Sequence, residues 1–116
     1  MESRAQEAKG RFGRMSCSAA LLSTYADIAG ISVEDAITKA MPMSGGRMGK
    51  CGAVLAAEEV LKVKAPDKIE QLEKLFEEKN GSVMCNVLKG RTGGPVLRSC
   101  PGCVEDASVI LEQLLG

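Results

Sequence analysis

Five cysteines, Cys17, Cys51, Cys85, Cys100 and Cys103, carry the reactive chemistry of this 116-residue chain. Histidine is absent, which excludes Ser-His-Asp and Cys-His catalysis, imidazole metal sites and haem attachment through CxxCH. Thiol chemistry is what remains. Five cysteines are too few for a disulfide scaffold, and the number is odd. No positively charged and apolar signal segment opens the sequence, so a cytoplasmic location is expected. Thiols there serve as core residues, metal ligands or redox centres.

The cysteines fall at predicted helix starts: Cys17 after Ser16, Cys51 after a glycine-rich loop, Cys100 and Cys103 around Pro101, and Cys85 after Ser82. A helix start presents unpaired N–H groups and partial positive charge, and both favour thiolate over thiol. Arg14, Lys50 and Arg98 stand next to Cys17, Cys51 and Cys100 in sequence and would add to the effect. Cys51 combines the helix start, the free N–H groups of Gly49 and Gly52 and the adjacent Lys50. It is therefore expected to be the most acidic thiol and to share an interior site with Cys17. The plainer reading is that Cys17, Cys51 and Cys85 are small core residues, because cysteine is among the most buried types. Cys100-Pro101-Gly102-Cys103 is a CxxC, compatible with a dithiol couple or with half of a zinc or Fe–S site. The βαβ pattern of a thioredoxin fold does not surround it.

The elements that must position these thiols read as helices. Glu2 to Arg11 is polar, with Ala5 and Ala8 as its small face. Cys17, Leu21, Thr24, Tyr25 and Ile28 form one stripe of a run from Ser16 to Ala29 that stops at Gly30. Ser32 and Asp35 open a short helix to Ala40. Residues 42–50 are glycine-rich, and a helix follows from Cys51 to Val63. Ile69, Leu72, Leu75 and Phe76 line the next, which Asn80-Gly81 terminates. Ser82 to Lys89 is assigned as helix, although its alternation also suits a strand. Gly90 to Ser99 is loop, and the last helix runs from about Pro101 to Leu115. The expectation is an all-α bundle of five to six helices, a single domain over residues 1–116.

Fifteen basic and fifteen acidic residues cancel, which argues against a nucleic-acid binder held by phosphate contacts. Aromatic residues make up only 3%, too few for base stacking. No apolar run is long enough to span a bilayer. The loop at 42–50 has neither Walker-A nor G-x-G-x-x-G spacing, which counts against nucleotide binding. Met41, Met43 and Met48 around it read as gap-filling core.

Together these segments resemble the small redox-active proteins named for their cysteine pattern, the C_GCAxxG_C_C (CGAxxG) family. The resemblance covers about residues 5 to 115. It rests on the stretch from Met15 to Ala20, on Gly45 to Ala53 with Cys51-Gly52-Ala53, on Phe76 to Cys85, and on Cys100-Pro101 followed by Val104 to Ala107. It implies a helical domain with a redox or cluster-binding role. The family's four cysteines map onto Cys17, Cys51, Cys85 and Cys100. Two departures stand out: the CGAxxG motif ends in Ala56 rather than Gly, and Cys103 is additional.

The leading expectation is a thiol redox protein in which one thiolate attacks and a second cysteine resolves, with Cys100 and Cys103 or Cys17 and Cys51 as the couple. Such a couple implies a redox partner protein. The alternative is a metal protein, with Cys17, Cys51, Cys85 and Cys100 as thiolate ligands to an Fe–S cluster or zinc. The third is a structural or partner-binding bundle. The polar N-terminal segment offers a surface for a dimer.

Overall fold

A computed structural model describes residues 4–46, 49–90, 94 and 96–115; the side chains of residues 44–46 and 100 lie outside that description. Residues 47, 48, 91–93 and 95, in the two glycine-containing loops, also fall outside it. Eight α-helical segments occur among the described residues, in the order α1 (Arg4–Arg11), α2 (Cys17–Thr24), α3 (Ala26–Ala29), α4 (Val33–Ala40), α5 (Gly52–Lys64), α6 (Ile69–Asn80), α7 (Cys85–Leu88) and α8 (Cys100–Leu115). Tighter 3₁₀ turns cover Met41–Gly46 and Pro66–Lys68. No strand occurs among the described residues, and the all-α expectation holds.

Local chemistry sets most of these boundaries. Ser16 Oγ accepts from the Ala19 N–H at 3.2 Å and starts α2, while Ser32 Oγ accepts from the Asp35 N–H at 3.1 Å and starts α4. Each replaces a hydrogen bond that the first helical turn lacks, a contribution of about 1 kcal/mol. Ser99 does the same for α8, accepting from the Gly102 N–H at 3.3 Å. Gly30 and Gly81 close α3 and α6 with φ of 74° and 90°, a left-handed conformation that glycine adopts without a Cβ clash.

Two differences from the expected elements stand out. The run from Ser16 to Ala29 breaks at Tyr25, whose N–H is shared between the carbonyls of Leu21 and Leu22 at 3.2 Å each. Just before the break, Thr24 Oγ1 and Ser23 Oγ both donate to the Ala20 carbonyl, at 2.8 and 3.3 Å. Such back-bonding by Ser and Thr bends a helix. The segment Ser82 to Lys89 divides: Met84 pairs with Lys50 in an isolated antiparallel bridge, and α7 begins at the next residue.

The core forms where α5 lies against α2, α6 and α8, with α1 packed on α8. Its alanine-rich start (Ala53, Ala56, Ala57) is fully buried, and small side chains let neighbouring helices approach closely. Leu21, Leu22 and Tyr25 from α2, Val60 and Leu61 from α5, Leu72 and Phe76 from α6, and Val104 and Leu111 from α8 complete it, all fully buried. Arg4 fastens α1, forking onto both Asp27 oxygens at 2.8 and 2.9 Å with its guanidinium 5.2 Å from the Tyr25 ring centroid.

Candidate functional site

Four helices begin at a cysteine. Cys17 is the first residue of α2, Cys51 caps α5, Cys85 opens α7 and Cys100 opens α8, with Cys103 one turn further along α8. The tertiary packing brings several of these starts together. Cys51 N–H donates to the Val83 carbonyl at 2.7 Å and Cys85 N–H to the Gly49 carbonyl at 2.9 Å, so the bridge at Lys50 and Met84 ties the α5 and α7 starts side by side. Gly49 adopts φ 88°, and a Cβ there would stand 3.1 Å from Met84 Cε; a side chain at this position would be strained. Cys17 reaches the same place from α2: its Sγ lies against Gly52, the residue after Cys51.

One thiol pairing joins the α5 start to α8. Cys51 and Cys103 face each other through their side chains and belong to the hydrophobic core, 3% and 0% exposed. Cys17, Cys51, Cys85 and Cys103 are outside any disulfide, and Cys17 is half-buried. Lys89, at the C-terminal end of α7, donates from Nζ to Cys103 Sγ at 3.5 Å and to the Arg98 carbonyl at 3.0 Å.

The expectation that Cys51 is the most acidic thiol is overturned. Its pKa is pushed well above the ordinary thiol value, first by the hydrogen bond with Cys103 and then by burial; the amides of Val54 and Ala53 pull the other way and lose. Desolvation of the charged form outweighs the helix start. The expected help from Lys50 goes elsewhere: its ammonium sits between Glu73, in a very short contact, and Glu58 Oε1 at 3.3 Å. Arg98 is likewise drawn away, to Asp106 at 2.9 Å.

Lys50 anchors a second titratable group that sequence reasoning missed. Glu58 is 8% exposed, and its Oε2 is sealed from water without a hydrogen-bond donor. Its pKa is pushed up to about 7, mainly by burial and next by the neighbouring Glu73 carboxyl, against the pull of Lys50. Glu73 is held below the ordinary carboxylate range, by Lys50 first and then by Glu58. The pair thus shares its protons unequally: Glu58 keeps one and Glu73 stays ionised. Lys89 was also missed. The one signal for it is its place four residues after Cys85, at the C-cap of the same short helix.

A thiolate metal centre would need Cys17, Cys51, Cys85 and Cys100 to converge. Among the described residues no group of three ligating side chains is placed to hold a metal ion, and the Cys100 side chain lies outside those residues. Among the described residues no helix is long and apolar enough to cross a membrane.

No curated protein and no solved structure matches the chain. Residues 15–114 do match a family model, in a span that starts just before the α2 cysteine and ends inside α8. A match over most of the sequence, with Cys17, Cys51, Cys85 and Cys100 each beginning a helix or capping one, places the chain in the C_GCAxxG_C_C family of putative redox-active proteins.

Proposed function

We propose that the chain is a thiol–disulfide redox protein whose working couple is Cys51 with Cys103. One observation carries this reading: the side chains of Cys51 and Cys103 act directly on each other inside the core, where the α5 start packs against α8. On oxidation the two thiols together lose two protons and two electrons, and one S–S bond forms. Reduction returns two electrons and two protons and resets the couple, once the junction of α5 and α8 opens to a reducing thiol.

The test is mild oxidation of the reduced protein, followed by mass spectrometry under a denaturing, thiol-blocking quench. The expected product has lost two hydrogen atoms and yields a peptide linking Cys51 to Cys103. A link from Cys100 to Cys103, or from Cys17 to Cys51, would reassign the couple. A protein that gains no disulfide would refute the reading.

A further inference from the structure

We propose that the oxidant of this couple is a small hydroperoxide, with Cys103 as the attacking sulfur, Lys89 as its counter-cation and Cys51 as the resolving thiol. The inference rests on the thiol–disulfide reading above and adds the substrate class and the role of each residue.

Burial selects the oxidant. Cys103 is 0% exposed and Cys51 3%, both within the core formed by residues such as Val54, Val104 and Ala107. Exchange with a disulfide requires the thiolate to reach a sulfur that is itself carried on a peptide or protein. A sulfur enclosed in this way cannot meet such a partner without opening the junction of α5 and α8. Hydrogen peroxide has two heavy atoms and needs no more room than two waters. Lys89 brings a polar group to that sulfur: it is half-buried, and its ammonium reaches both the Arg98 carbonyl and Cys103 Sγ.

Charge assigns the roles. A lysine ammonium beside a sulfur favours the thiolate, which is the nucleophile. Of the pair, Cys103 is the sulfur that Lys89 touches. Cys51 stays the protonated partner while Cys103 carries the charge; once Cys103 is a neutral sulfenic acid that charge is gone, and Cys51 acts second. The chemistry balances. Cys103 thiolate attacks the terminal oxygen of ROOH, the O–O bond breaks, and Cys103 becomes a sulfenic acid. The departing alkoxide takes a proton from Lys89, which recovers one from solvent. Cys51 sulfur then attacks Cys103 sulfur, the S–O bond breaks, and hydroxide leaves with the Cys51 proton as water. Two thiols and ROOH thus give one disulfide, ROH and water.

The experiment compares hydrogen peroxide with glutathione disulfide at equal concentration and neutral pH on the reduced full-length chain, with products mapped by mass spectrometry. Peroxide is expected to form the Cys51–Cys103 link at least about tenfold faster. In Cys51→Ser, dimedone is expected to trap a sulfenic acid on Cys103. Lys89→Met is expected to slow the peroxide reaction about tenfold and Lys89→Arg to restore most of it. Glutathione disulfide reacting as fast as peroxide, through a mixed disulfide on the half-buried Cys17, would overturn the substrate class. A sulfenic acid on another cysteine, or a folded Lys89→Met reacting at the wild-type rate, would overturn the assigned roles. If neither oxidant links Cys51 to Cys103, the thiol–disulfide reading itself falls, and the inference with it.

Discussion

Gly52 and Cys17 touch at a point where no side chain fits: a Cβ on Gly52 would stand 2.8 Å from Cys17 Sγ and 3.0 Å from the Met43 carbonyl oxygen. The start of α5 is therefore pressed against the start of α2. Gly52→Ala removes the entropy cost of glycine in a helix, about 1 kcal/mol in its favour, but forces the two backbones apart. Overpacking of this kind costs about 1–3 kcal/mol, so a net loss of stability is expected in urea unfolding. Adding Cys17→Ala should recover part of it, the Met43 carbonyl keeping the rest. A Gly52→Ala protein more stable than wild type would disprove the close contact.

Stability should fall as pH rises from about 5 to 8. The folded state pushes the Glu58 pKa up to about 7, above the ordinary carboxylate value, so the folded chain binds a proton that the unfolded chain has released. Its contribution is full below the unfolded pKa and is lost as pH passes through the folded one, with a size of about 1–3 kcal/mol. Glu73 shifts downward and acts only at lower pH. Glu58→Gln keeps an amide donor for Glu73 and removes the titration. Its unfolding midpoint should stay nearly level over this range, and a slope as steep as wild type would assign the effect to another group.

Tyr25 joins the α2–α3 break to α8, its hydroxyl 2.6 Å from Ser108 Oγ and 3.2 Å from the Ser108 carbonyl. Tyr25→Phe should lower stability by about 1 kcal/mol, measured by chemical denaturation. Burial also holds the phenol pKa above its ordinary value. Because Tyr25 is the only tyrosine, phenolate absorbance near pH 10 should appear only if the protein unfolds.

Gly102 makes room for Arg98. A Cβ there would meet Arg98 Nε at 2.5 Å, while that guanidinium holds Asp106, whose side chain is 5% exposed, at 2.9 Å. Gly102→Ala in the wild type sets a helix-propensity gain of about 1 kcal/mol against displacement of Arg98 from a buried carboxylate. Little or no stabilisation should result. In an Arg98→Ala background the same substitution should stabilise by about 1 kcal/mol, a sign of coupling that a double-mutant cycle reads directly.

The sequence by itself determined where most of the helices begin and end, the break at Tyr25 and the bridge at Met84 excepted. Ser16 and Ser32 cap, Gly30 and Gly81 stop, and the apolar stripes choose the buried faces, because all of these act within a turn or two of chain. For the same reason the placement of cysteines at helix starts was legible; the proximity of Cys17 to the α5 start was expected instead from its buried stripe and from the small alanines of α5. Which thiols meet was decided only by the tertiary structure. The three-residue spacing of Cys100 and Cys103 suggests a pair, but nothing in the spacing shows that Cys103 also meets Cys51, fifty-two positions earlier, because α5 and α8 pack together. Cations follow the same rule. Lys50 is the sequence neighbour of Cys51, but its long flexible side chain settles on Glu58 and Glu73, and Lys89 arrives at Cys103 from another helix. A charge at the end of a four-carbon stem goes to the nearest unscreened partner in space, and spacing along the chain does not show which partner that is.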